Sequence, residues 1–192
     1  IAYMLYADDH DGFLPVSGTE VPVGSGWVAP SRWFLEISRY IGNKSGRYTD
    51  LVSGNKVVAC PSARLGTDVI PESVPGYQGY GGYGHNYAYL GYNPADHQKI
   101  SRISKPVENC MNGDGLDSNN RFNLLNYGYL YPPSSLRTRG SGYEYVRHGK
   151  GVNYAWADGH VNMTTWEVMS TGKNGKIDWY YMPTPSSVPR PK

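Results

Sequence analysis

Apolar residues recur along this chain in short, separate bursts, each closed by a cluster of turn-forming residues. The first burst, Ala2, Leu5 and Tyr6, shares one side of a helix, and Asp8-Asp9-His10-Asp11-Gly12 then supplies a turn and a helix stop. The segment reads as the last turns of a helix already under way at Ile1. Proline and glycine interrupt Phe13 to Pro30, which predicts a loop with a short extended piece at most. Trp33, Phe34, Ile37, Tyr40 and Ile41 then recur at helical spacing, predicting a helix capped by Ser31 and stopped by Gly42-Asn43.

Later bursts have the shorter period of strands. Lys56 to Cys60 is a short strand ended by Pro61. Tyr77 to Tyr92 interleaves glycine with tyrosine and predicts an ordered loop leading into a strand. Beyond Lys105-Pro106, Val107 to Asn112 reads as a strand finishing at Gly113-Asp114-Gly115. Residues 115–145 have no clean period and Pro132-Pro133 interrupts them, so they read as a long loop or insertion with a short strand near Leu124 to Leu130. From Gly151 to Met163, Val152, Tyr154 and Trp156 alternate with Asn153, Ala155 and Ala157 up to Asp158-Gly159, the strongest hairpin signal in the chain. The tight turn favoured by such a pair needs positive φ at both of its central residues. Thr164 and Glu167 have capping-box spacing and predict a short helix through Trp166 and Met169. The proline-rich tail from Pro183 to Lys192 predicts an extended or frayed end. A helix end, scattered strands and a closing hairpin add up to an α+β domain spanning 1–192.

Composition sharpens this picture. Tyrosine supplies 18 residues of the 39% hydrophobic fraction, which predicts a small core ringed by half-buried rings whose hydroxyls need partners. With 24 glycines and 14 prolines, irregular loops should dominate. The 18 basic and 16 acidic residues are scattered along the chain, so no basic stripe exists to hold a phosphate backbone and nucleic acid is not an expected partner. No apolar run approaches the roughly 20 residues that cross a bilayer, so the chain as it stands reads as soluble. Cys60 and Cys110 permit one bridge, suited to an oxidising compartment, or two buried thiols; no Cys-x-x-Cys pair suggests a metal.

One arrangement is more specific. His148 is followed by nine residues and then Asp158-Gly159, within Arg147-His148-Gly149-Lys150-Gly151-Val152-Asn153-Tyr154-Ala155-Trp156-Ala157-Asp158-Gly159-His160-Val161. This resembles the signature of the prepilin-type processing-associated domains of planctomycete, verrucomicrobial and lentisphaeral secretomes. Three further segments agree in order. Tyr6 to Pro15 is similar to the end of that family's long helix, Cys60-Pro61-Ser62 to its Cys-Pro-Ser, and Gly84-His85-Asn86-Tyr87 to its Gly-Tyr-Asn-Tyr.

The resemblance implies a pilin-like fold, an N-terminal helix packed on an antiparallel sheet, similar to the pseudopilins of type II secretion. It also implies a cleaved leader and an apolar helix ahead of Ile1, a precursor anchored in the inner membrane, and a periplasmic or surface-exposed head. The partners would be other pilin-like subunits and the secretion machinery, and the role structural.

Candidate chemistry is sparse. No Gly-x-Ser-x-Gly, His-Glu-x-x-His or phosphate-cradling glycine loop accompanies His148 and Asp158, so catalysis is not expected. Asp158 then reads as a turn former, and His148 as a strand-end residue whose ring bonds across the sheet and fixes register. Calcium prefers several oxygens on a loop, and Asp114, Asp117 and Asn119 form one acidic cluster, Asp8, Asp9 and Asp11 another, though neither has an EF-hand pattern. Tyr80, Tyr83, Trp27 and Trp179 lie in segments read as loops and offer an alternative function, a glycan-binding or adhesin surface, unless they cover a thin core.

Overall fold

A computed structural model describes residues 1–16, 22–23, 27–28, 33–42, 83–91, 97–114, 116–117, 130, 132–135, 141–143, 148 and 151–185. The first helix, α1, is Ala2–Asp9. Its stop is a Schellman motif: Gly12 N–H donates to the Ala7 carbonyl at 2.8 Å while Asp11 takes the left-handed conformation at φ 52°. The buried side carries Tyr3, Tyr6 and Ala7, whereas Leu5 is exposed, so the inward face is turned from the expected Ala2–Leu5–Tyr6 side. The large rings win that position because Tyr3 packs on Trp33 and on His85.

The expected helix around Trp33 breaks in two. Trp33–Glu36 forms one turn, α2, and Ser38–Ile41 continues as a 3₁₀ turn that Gly42 ends at φ 85°. Asp9 fastens this turn to α1 by accepting from the Tyr40 hydroxyl at 2.7 Å and from Arg39 at 3.2 Å. The short pieces Pro22–Val23 (β1) and Trp27–Val28 (β2) pair with each other antiparallel.

A four-stranded antiparallel sheet organises the rest: Tyr83–His85 (β3), Cys110–Asp114 (β4), Val152–Trp156 (β7) and Val161–Thr164 (β8), in the order β3-β4-β7-β8. The architecture is therefore α+β. After β3 the chain does not continue extended, as the Gly-Tyr alternation suggested, but winds into one helical turn, Tyr87–Leu90 (α3), with every side chain buried. β4 starts later than the expected strand at Val107, because Pro106–Glu108 forms a 3₁₀ turn. Within 115–145, Leu116–Asp117 (β5) pairs with Ser141–Tyr143 (β6), and Pro133–Ser135 makes a further 3₁₀ turn. The strands expected at Lys56 to Cys60 and at 124–129 lie outside the described residues.

The hairpin at Asp158-Gly159 forms, with another turn than expected. Gly159 N–H donates to the Trp156 carbonyl at 2.9 Å and Trp156 N–H to the His160 carbonyl at 3.0 Å. Gly159 has φ 93°, and Asp158 is not among the positive-φ residues. This is the three-residue loop in which a left-handed glycine closes an ordinary turn. The following helix, Trp166–Thr171 (α4), is capped by Thr165, whose Oγ1 accepts from Val168 N–H at 3.3 Å, not by Thr164, which still belongs to β8.

Two buried clusters flank the sheet. The first joins Tyr3 and Tyr6 of α1 and Trp33 and Ile37 from α2 and its end to Leu14, Leu90, Ile103, Met111 and Ala157. The second gathers Cys110, Val152, Tyr154 and Trp156 under Met169 of α4 and under Tyr181 and Met182. The tail is tied down at its start, since Pro183 is buried and its carbonyl accepts from Ser104 N–H at 2.9 Å. Among the described residues no helix is long and apolar enough to cross a membrane.

Candidate functional site

β4 and β7 run antiparallel, with Gly113 opposite Tyr154, so the end of β4 meets the beginning of β7. This brings Asp114, the last residue of β4, to His148 and Asn153. Asp114 has no solvent exposure. Its Oδ2 accepts from Asn153 N–H at 2.8 Å and from Asn153 Nδ2 at 3.3 Å, and lies 3.3 Å from His148 Nε2. Its Oδ1 is buried without a hydrogen bond. An antiparallel bridge joins His148 to Gly151, just ahead of β7. A buried carboxyl group needs donors in place of its lost water; Asn153 supplies two, and the His148 ring lies beside the same oxygen.

Asp158 lies at the other end of β7. Five strand residues of roughly 3.3 Å each separate the two motif positions, so His148 and Asp158 do not meet. Asp158 Oδ1 instead receives His160 Nδ1 at 2.6 Å and His160 N–H at 3.2 Å. Although desolvation opposes them, these bonds from His160 hold the Asp158 carboxyl below its ordinary pKa. The His160 ring stacks on Trp156 with centroids 5.6 Å apart, and Trp156 Nε1 donates to Asn162 Oδ1 at 2.8 Å. Each motif residue thus has a local partner, Asp114 for His148 and His160 for Asp158, which gives the nine-residue spacing a geometric meaning: it is the length of strand and turn between two separate clasps.

The acidic cluster Asp114, Asp117 and Asn119 is described only in part. Asp114 is committed to β7, Asp117 stands in β5, and Asn119 lies outside the described residues. Among the described residues no group of three or more His, Cys, Asp or Glu is placed to hold a metal. Asp9 of the other acidic run is engaged by Arg39. Cys110 is a fully buried thiol in β4, and Cys60 is not described. Of the aromatic candidates for a glycan platform, Trp179 is buried, with Nε1 donating to Glu108 at 2.8 Å, and Tyr83 packs in part against the first cluster; the side chains of Trp27 and Tyr80 are not described.

Two buried polar centres carry more of the architecture than the sequence disclosed. Asn86 donates through Nδ2 to the Cys110 carbonyl at 2.9 Å and to the Tyr181 carbonyl at 2.8 Å, stapling the C-terminal segment to β4. Asp178 accepts from the Tyr89 hydroxyl at 2.7 Å and from Ser134, whose backbone N–H lies at 2.8 Å. Burial and the adjoining Asp178 carboxylate raise the Tyr89 pKa far above that of an ordinary phenol. The one available signal was the Gly-His-Asn-Tyr segment, which marks Asn86 but names neither partner.

Comparison with family models, with curated proteins and with solved structures returns no match to this chain.

Proposed function

We propose that this chain is the head domain of a structural subunit of a type II secretion pseudopilus or a type IV pilus-like assembly. The observation that supports the reading is the disposition of α1. Its tyrosine side is fastened to an antiparallel sheet, while Ile1, 90% exposed, and Leu5, 44% exposed, face outward. An exposed leucine on a helix already anchored from behind is suited to packing against a neighbouring helix. The prepilin-type resemblance of the His148 to Gly159 segment agrees with this, and the two clasps give His148, Asp158 and Gly159 a structural task.

In this reading an apolar helix continuous with α1 anchors the precursor in the inner membrane of a bacterial envelope. Its partners are other pilin-like subunits and the secretion machinery. The coding sequence upstream of Ile1 should then carry a charged leader and about 20 apolar residues. In the full precursor, Leu5→Asp should leave the head folded and remove the protein from sheared filament fractions. Filaments that persist unchanged, or a precursor with no apolar segment upstream, would overturn the proposal.

A further inference from the structure

His85 sits where three elements converge, on β3 beneath α1 and α2, and has no solvent exposure. Tyr3 stacks on its ring with centroids 5.6 Å apart and Trp33 with centroids 6.2 Å apart. Asn112 Nδ2 on β4 donates to the Tyr3 hydroxyl at 2.9 Å, and that hydroxyl is 2.9 Å from His85 Nδ1. With Asn112 donating to its oxygen, the Tyr3 hydroxyl still has its own proton to give to Nδ1 of a neutral imidazole, and Nε2 is buried without a hydrogen bond of normal geometry.

A second proton disturbs this arrangement. With both ring nitrogens protonated Nδ1 can only donate, so the Tyr3 hydroxyl must turn and lose its acceptor. The resulting cation would lie out of water with no carboxylate among the described residues bonded to it. Among the described residues the ionisable groups on the packed elements are Tyr3, Tyr6, Asp8 and Asp9 of α1, Glu36 of α2, and Cys110 and Asp114 of β4. Glu36 Oε2 accepts from Val16 N–H at 3.4 Å, and its charge acts on both tyrosines. Asp8 and Asp9 are exposed, and the β4 residue opposite His85 is the uncharged Asn112. Burial accordingly drives the His85 pKa down from 6.5 to about 3, the Met111 backbone only partly offsetting it.

We propose that His85 is a proton-operated latch between α1 and the sheet, so that mild acid frees α1 while the rest of the sheet stays paired. The contacts support a local release. Tyr3 and Trp33, the rings through which α1 and α2 rest on β3, both stack on the His85 side chain, whereas the second cluster meets His85 at its backbone, where Leu130 N–H donates to the His85 carbonyl at 2.7 Å. The sign follows from linkage. The folded imidazole binds its proton less readily than the released one, so the latch holds fully above pH 6.5 and weakens as pH falls from 6.5 toward 3. Over that window the opening equilibrium grows about tenfold per pH unit. The latch does not depend on the assembly reading; if both hold, acidity would govern how firmly each head carries its packing helix.

Hydrogen exchange of the whole chain, corrected for intrinsic rates, tests the latch. Between pH 6.5 and 4.5, protection of the Tyr6 to Asp9 amides should fall about tenfold per unit while the Val152 to Trp156 amides hold. His85→Asn, which keeps an acceptor near the Nδ1 position and cannot titrate, should flatten that slope. Constant α1 protection, loss of both sets in step, or an unchanged slope in His85→Asn would each overturn the latch. Should that variant not fold, the wild-type imidazole nitrogen shifts decide: His85 must stay neutral for as long as α1 is protected, and titration near pH 6.5 beneath a protected α1 is the contrary result.

Discussion

At the scale of single residues, the most consequential side chain is one whose partners are far away in sequence. Asp114 was visible as an acid in a polar run, but its donors come from His148 and Asn153, and no spacing rule connects residues that a loop brings together. Asp114→Ala should cost about 3 kcal/mol in denaturant unfolding, because it removes the acceptor of the Asn153 N–H and the carboxyl beside the His148 ring at once. His148→Ala should cost about 1 kcal/mol, since its side chain is 25% exposed. In the double variant the two losses should fall short of their sum, and strict additivity would mean that the pair does not interact. Two glycines sharpen the same point. A Cβ on Gly113 would lie 2.8 Å from the buried Tyr154 ring, while one on Gly151 would meet the side chain of Met163 at 2.4 Å. The ring cannot retreat, but Met163 is 58% exposed and flexible. Gly113→Ala should therefore cost about 2 kcal/mol and Gly151→Ala about 1 kcal/mol or less, read from urea midpoints.

At the scale of elements, the sequence located the closing hairpin because alternation and an Asp-Gly pair are local signals. The turn type escaped because it depends on which carbonyl the Gly159 N–H finds, a choice between loops of similar composition. Gly159→Ala should lower stability by about 1 kcal/mol through its positive φ. An Asp158→Ala change acts through the His160 clasp instead and should be smaller. The helix cap was misplaced by one residue for a related reason. Thr164 and Thr165 look alike on paper, but β8 claims Thr164 through its pairing with Val152. Thermal unfolding should separate them, with Thr165→Ala costing about 1 kcal/mol and Thr164→Ala less than about half of that. Equal losses would mean that the cap contributes nothing. The break in the second helix was also illegible, since Trp33 and Ile37 keep helical spacing whether the last turn is α or 3₁₀.

At the scale of the molecule, the sheet has two apolar faces, and residues distant from it in sequence help to close both. The face carrying Tyr154 and Trp156 is covered by α4 and by Asp178 to Met182, a segment whose turns gave no periodic signal although it contains Trp179, Tyr181 and Met182, all buried. Pattern reading favours segments that repeat, and a loop folded over a core does not repeat. The closure rests on polar anchors as much as on apolar area, because Asn86 holds the Tyr181 carbonyl and Asp178 holds α3 and the Pro133–Ser135 turn. If the segment is a lid fastened at both points, Tyr181→Ala should cost about 4 kcal/mol by opening a cavity in the second cluster. Asn86→Ala should cost about 2 kcal/mol by removing the Nδ2 hydrogen bonds to two carbonyls, those of Cys110 and Tyr181. The control is on one helix: Met169 is fully buried and Val168 is 46% exposed. Met169→Ala should cost about 3 kcal/mol, and Val168→Ala no more than about 0.5 kcal/mol. Comparable losses for Met169 and Val168 would mean that α4 does not close the sheet, and the lid would then lack the support on which the costs at Tyr181 and Asn86 depend.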